Sequence, residues 1–310
     1  MIYRRFLIVL ALFVTFPVSA LFGADETAGE HGPELITHAD AHADDGHHSL
    51  PTDAVVITEI GPFAITNSML VTWVVALGLI IVAQIATKKP KLVPSGLQNF
   101  VEWLVESLIE FFQGILGTKL AKETFWFFGT VFVFILFSNW FGLIPGVGTI
   151  GWDVDAHGHV HKPLLRGVNA DLNMTASMSL FFFALWLYWS FKSIGPGGFF
   201  FHIFDVKGHG FSAMGIFLLL IYISVGLVEL VSISLRPVAL MFRLYGNVFA
   251  GENILETVMG LGGKYFGWLT VLPFYFLELL VGLVQALVFA LLTAVFTSLM
   301  CSHHEEDHSH

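Results

Sequence analysis

Seven charged side chains, Glu229, Arg236, Arg243, Glu252, Glu256, Lys264 and Glu278, interrupt an otherwise apolar stretch over residues 212–300. Each such group at membrane depth costs roughly 2.5 to 3.5 kcal/mol on insertion scales, so it is functional by default unless it pairs or snorkels to water. Glu256 and Lys264 sit beside the turn signal Gly260, Gly262 and Gly263, which lets them snorkel or pair. Arg243 has apolar 238–242 before it and Leu244-Tyr245 after it, and no such escape. On a helix of 1.5 Å rise, Glu229 lies roughly 21 Å from Arg243 on one side and Glu252 roughly 13 Å on the other. The chain returns through 266–300, which brings Glu278 level with Glu252 and sets Gln285 roughly 10 Å deeper, where it can meet Arg243. The order is acid, base, acid. Carboxylates bind and release protons, whereas a guanidinium stays protonated. The acids can therefore relay protons on two half-paths, and something must carry the proton around Arg243.

These residues need membrane helices to position them. The chain is 55% hydrophobic and 12% charged, with a mean hydropathy of +0.77, which excludes a soluble surface. Apolar runs of spanning length cover 67–87, 124–143 and 172–191, followed by the longer stretches 212–262 and 266–300, which predict five crossings. Lys88, Lys89, Lys91, Lys119 and Lys122 flank the first connection and place it in the cytoplasm. Lys162 and Arg166 in the outer loop and the acidic C-terminal tail follow that rule less well. Between the first two crossings, Gln98, Glu102, Glu106, Glu110 and Gln113 form a polar stripe on an otherwise apolar helix, which predicts an amphipathic helix along the cytoplasmic face. The last two runs exceed what an upright helix needs and predict a long, tilted, antiparallel hairpin, with Pro237 kinking its first arm or freeing a carbonyl there. The expected class is an all-α membrane protein with its membrane domain over 63–301.

The ends read differently. Arg4 and Arg5, an apolar run to Phe16 and Pro17-Val18-Ser19-Ala20 describe a signal peptide over 1–20, with cleavage after 20 or 24. An exported tail at 21–62 follows; it holds nine acidic residues and no Lys or Arg, and accounts for most of the net −10. Five crossings from an outside start leave 302–310 as a cytoplasmic tail. Nucleic acid is excluded as a partner, and the single cysteine, Cys301, excludes an internal disulfide or a Cys-based metal site. All 14 histidines lie outside the expected spans, with His202 and His209 in an inner loop. Such clusters suggest a divalent-metal transporter with His-rich loops as an alternative, but the spans hold no His and Asp sites to pass a metal onward. Haem ligation and intramembrane proteolysis lack their residues too. Phe181, Phe182, Phe183, Trp186, Tyr188 and Trp189 are expected to face lipid and anchor the interface rather than line a cofactor site.

The run Arg236-Pro-Val-Ala-Leu-Met-Phe-Arg243-Leu-Tyr-Gly-Asn247-Val-Phe-Ala-Gly-Glu252 resembles the signature of subunit a of the rotary F-type ATP synthase membrane (Fo) sector. Ser138-Asn139-Trp-Phe-Gly-Leu-Ile-Pro145, Ala170-Asp-Leu-Asn173-Met-Thr175 and the run from Gln285 resemble other segments of that family. The resemblance implies a stator subunit in the bacterial cytoplasmic (inner) membrane. Its hairpin would face a rotating ring of c subunits, with a b-type stalk subunit and the remainder of the synthase as further partners and no cofactor or metal. It makes Arg243 the essential arginine that meets the ring carboxyls and separates two half-channels, with Asn247 and Gln285 as its polar neighbours. Glu252 and Glu278 match the outer half-channel pair, Glu229 the cytoplasmic acid and Ser232 a polar position near it. Many members carry a histidine at one outer position, whereas this chain has two carboxyls there. Two close carboxyls do not both ionise cheaply, so the pair is expected to share a proton.

Overall fold

The computed structural model describes residues 56–302 apart from 61–62, 89, 145–146, 148–150, 155–159 and 205–212. The expected signal peptide, nearly all of the acidic tail, His209 and residues 303–310 lie outside the described residues. Among the described residues, five helices are long and apolar enough to cross a membrane.

Helix α1, Asn67–Thr87, coincides with the first expected span. Thr66 caps it, its side-chain oxygen accepting from the Met69 amide at 3.4 Å. Val71, Val75, Ala76 and Leu79 are buried on one face, while Leu77, Ile81 and Ile85 remain exposed.

Helix α2, Leu97–Gly142, holds both the amphipathic segment and the second span in one element, broken at Gly117, where φ is 74° and ψ 163°. That conformation suits glycine because it has no Cβ. Phe112 folds the first arm onto the second, its ring 5.6 Å from Phe128 and 6.3 Å from Phe125. The apolar side of the first arm and the adjoining faces of α1 and the second arm enclose an apolar cleft of about 560 Å³, while Glu106 and Glu110 stay exposed.

Helix α3, Leu172–Phe204, runs past the end expected for the third span. Its ladder breaks at Gly195, φ 78° and ψ 158°, directly before Pro196, which disfavours helical geometry in the preceding residue and has no N–H to donate. The helix resumes because Phe199 and Ile203 are buried, with Phe199 5.0 Å from Phe191 and 6.2 Å from Trp186 between ring centres. His202, expected in a loop, therefore lies on helical backbone.

Helices α4, Ala213–Leu261, and α5, Gly263–Ser302, form the expected hairpin. Gly263, at φ 63°, begins the return. Pro237 is accommodated inside α4. Only 22% of the most apolar window of α4 is buried within the chain, against 67% for α2, so α2 is the central span and α4 a peripheral one.

Two short antiparallel ribbons, unforeseen in the sequence, lie outside the long helices. Strands β1 (Val56–Ile60) and β2 (Phe63–Thr66) pair just before α1, so the boundary expected between 62 and 63 separates two paired strands. Strands β3 (Gly151–Val154) and β4 (Val160–Pro163) pair between α2 and α3, followed by a 3-10 turn over Val168–Ala170.

The expectation that the aromatic run of α3 faces lipid is corrected. Phe182, Trp186 and Trp189 are buried, and only Tyr188 among the six is largely exposed, at 59%. Phe127 of α2 lies at the centre, its ring 6.3 Å from Phe182 and 5.6 Å from Trp189. Rings interlock here because an offset or edge-on aromatic pair gains more than burial alone. Phe127→Ala is expected to cost about 3–5 kcal/mol and Tyr188→Ala no more than about 0.5 kcal/mol, measured as the unfolding temperature of the detergent-solubilised chain. Equal shifts for the two would return the run to lipid.

Candidate functional site

Glu252 on α4 and Glu278 on α5 line one pocket together with Asn247, Gln285, Ser138, Asn139 and Gly167. Both carboxyls lie against backbone. A Cβ built on Gly251 would run into the Glu278 carboxylate, and one built on Gly167 would stand 2.7 Å from Glu252 Oε1. Glycine at these two positions is what allows the carboxyls into the seam. Glu252 and Glu278 thus lie at one level, as helical rise predicts.

Asn139 and Trp140, at the end of α2, frame the pocket. Asn139 Nδ2 donates to the Gly282 carbonyl at 3.2 Å, and Trp140 Nε1 to the Leu279 carbonyl at 3.1 Å, on either side of the turn that follows Glu278. Asn169 Nδ2 donates to Asn139 Oδ1 at 2.6 Å. Two residues on, the buried Asp171 accepts from Ser68 Oγ of α1 and from the Asn173 amide at 2.9 Å. A polar network therefore ties α1, α2, α3 and α5 together at the level of the carboxyl pair. Ser138 Oγ and Gln285 Nε2 are buried in the pocket wall without a hydrogen-bond partner among the described residues.

Arg166, 5% exposed on the segment before α3, is a buried cation next in sequence to Gly167 of the pocket wall. In the sequence it stands out only as an exception to the charge bias of the loops. A cation in a loop expected to lie outside, against that bias, is the available signal.

Deeper along the hairpin, Asn247 Nδ2 donates to Gln285 Oε1 at 2.7 Å. The expected meeting of Arg243 with Gln285 is thus replaced by Asn247, one turn later on α4. Arg243 is exposed on the outer face of α4, and among the described residues it makes no hydrogen bond or ion pair. Toward the other end of α4, Glu229 accepts from Arg236 Nη2 at 3.0 Å, and Ser232 is exposed one turn beyond it. The uninterrupted helix keeps the order acid, base, acid along α4. No group of three or more His, Cys, Asp or Glu among the described residues could hold a metal ion.

Residues 69–298 match the family described as ATP synthase A chain. The chain belongs to the ATP synthase A chain family. Among its relatives, ATP synthase subunit a of Gloeobacter violaceus is 31% identical over 251 residues, which cover 81% of this chain and 90% of that protein. The subunit a of Pseudomonas syringae pv. tomato is 32% identical over 302 residues, covering 92% of this chain and 100% of the relative. Against the longer Anaeromyxobacter dehalogenans relative, identity is 31% over 253 residues and only 60% of that protein is spanned. Every residue of the acid, base, acid series lies inside the family region, as do Asn139, Arg166 and Asp171, whereas the ribbon β1–β2 precedes it.

Gly251→Ala is expected to displace the Glu278 carboxylate at a cost of about 1–3 kcal/mol, read as a lower unfolding temperature. Gly260→Ala, whose added methyl meets nothing within 4 Å, is expected to leave that temperature unchanged.

Proposed function

We propose that the chain is the stator subunit a of the F-type ATP synthase Fo sector, in a bacterial cytoplasmic (inner) membrane with its N-terminus exported and its C-terminus cytoplasmic. On this reading the uncovered face of the hairpin meets a rotating ring of c subunits, each with one mid-membrane carboxyl. A b-type stalk subunit and the rest of the synthase complete the assembly. Alone the chain catalyses nothing; its chemistry is proton transfer, without cofactor or metal.

Protons enter from outside through the Glu252 and Glu278 pocket, where two carboxyls, a serine hydroxyl and an amide offer successive donors and acceptors. They pass to a ring carboxylate. A ring carboxyl that reaches Arg243 gives up its proton, because a nearby cation favours the charged form. A carboxyl that stayed neutral would leave the guanidinium uncompensated in an apolar setting, so protonated sites do not slip past it. Asn247 and Gln285 bond to each other and leave Arg243 to the ring. The released proton leaves by Glu229 and Ser232 to the cytoplasm, and the obligatory detour around the ring couples its flow to ATP synthesis.

The observation that carries this reading is the exposure of Arg243 on the apolar outer face of α4 with no partner among the described residues. A permanently protonated group at membrane depth calls for a carboxylate from another chain. Among the described residues nothing favours the metal-transporter alternative.

Arg243→Ala is expected to abolish ATP-driven acidification of inverted membrane vesicles; retained pumping would reject the central assignment. Glu278→Gln is expected to lower proton flux and change its dependence on pH between about 5 and 9, as for a coupled carboxyl pair. An unchanged profile would remove Glu252 and Glu278 from the relay.

A further inference from the structure

Glu229 is held by a cation that is itself held. The Arg236 guanidinium carbon lies 4.4 Å from the centre of the Phe296 ring and 5.9 Å from that of Trp186. The Trp186 indole N–H donates to the Phe296 carbonyl at 3.2 Å, which ties the two flanking residues to each other. Cations over aromatic faces gain most where water is excluded. The side chain of Arg236 is 20% exposed, that of Glu229 47%. In this pair the guanidinium is the fixed member and the carboxylate the free one.

The backbone around the pair is anchored at both ends. The carbonyl of Pro237, itself buried, accepts from Ser179 Oγ of α3. On the other side of Glu229, Gly226 lies so close to α3 that a Cβ there would stand 2.9 Å from the Ile203 carbonyl. The segment from 226 to 237 is therefore pinned to α3 twice, and motion at the pair belongs to the Glu229 side chain rather than to the helix.

We infer that Arg236 is the positioning residue of the cytoplasmic half-path, retaining its charge between Trp186 and Phe296 while the Glu229 carboxylate swings away to take up each proton and returns once it is released. This rests on the proposed function, in which Glu229 conducts protons to the cytoplasm. The step is a proton transfer only: one carboxylate oxygen of Glu229 gains the proton, the ion pair with Arg236 opens, and loss of the proton to water re-forms it. An arginine suits the task because its planar, always-charged group both stacks on rings and donates in a fixed direction.

The test uses inverted vesicles carrying the complete synthase, with subunit amounts checked by immunoblot and ATP-driven acidification as the readout. Arg236→Gln is expected to lower pumping roughly tenfold, within the range for directly coupled groups. Arg236→Lys, which keeps the charge, is expected to restore most of it, and Arg236→Met, which refills the space between the rings without charge, is not. Combined with Glu229→Gln, Arg236→Gln is expected to add no further loss. Should Arg236→Gln prevent assembly, Glu229→Asp serves instead: it keeps the carboxyl but shortens its reach, and is expected to lower pumping in an assembled complex. Full pumping by Arg236→Gln or Glu229→Asp, rescue by Arg236→Met, or losses that multiply in the double variant would each overturn the inference. An Arg243→Ala control separates the levels: pumping that survives it rejects the proposed function, whereas pumping lost there and intact in Arg236→Gln rejects only the role of Arg236.

Discussion

Asn139 divides its two polar ends between different helical neighbourhoods, donating to the Gly282 carbonyl of α5 and accepting from Asn169 before α3. Where water is scarce, neither bond has a ready competitor, so a single side chain sets the height of α5 against α2. The Gly282 carbonyl can take this second donor because a carbonyl oxygen has two lone pairs, one of which remains after the helix has used the other. Glu278 sits one turn before Gly282, so its depth follows from the same bond. Through α5, so does the meeting of Gln285 with Asn247, and hence the freedom of Arg243 to face outward. The polar network is small, but the positions of the site residues hang from it.

The aromatic packing between α2 and α3 supports this seam from the other side. Phe127, Phe128, Phe182 and Trp186 are almost wholly buried, and the Trp186 indole reaches across to the backbone of α5. Side chains of α2 and α3 thus interlock, and the hairpin packs on both, α5 against α2 and α4 against α3, with one face uncovered. That division is consistent with charge: the Glu252 and Glu278 carboxyls lie in the seam, whereas Arg243 lies on the uncovered face.

Much of this was legible in the sequence because the bilayer imposes length and polarity directly. The first span coincides with α1 to the residue, the hairpin turn follows from Gly260, Gly262 and Gly263, and the order of Glu229, Arg243 and Glu252 follows from helical rise alone. What escaped has a common cause. Hydropathy registers that a residue leaves water but not whether it meets lipid or protein, so the aromatic run of α3 was assigned to lipid although most of it is core. The Gly195-Pro196 pair was a readable break, and Gly117 was not, since a lone glycine is common in membrane helices. Arg166 and the Arg236 pairing depend on contacts between distant segments, and helical rise cannot tell which of Arg243 and Asn247, one turn apart, bonds Gln285.

The two breaks have one more consequence. An exposed ion pair, Lys192 to Glu123 at 3.3 Å, joins α3 to α2 close to both Gly195 and Gly117, so the helices bend at a shared level among charged residues. Measured from those bends, the crossing parts of α2 and α3 and the whole of α1 each come to roughly 32–38 Å at 1.5 Å per residue, enough to cross a hydrocarbon core of about 30 Å with little to spare. The three spans are cut to a common hydrophobic thickness, and α4 and α5 are not. Thinning or thickening the bilayer would therefore strain the three matched spans first, while the hairpin takes up the change by altering its inclination. The glycines at 117 and 195 in effect record the thickness of the membrane for which this chain is built.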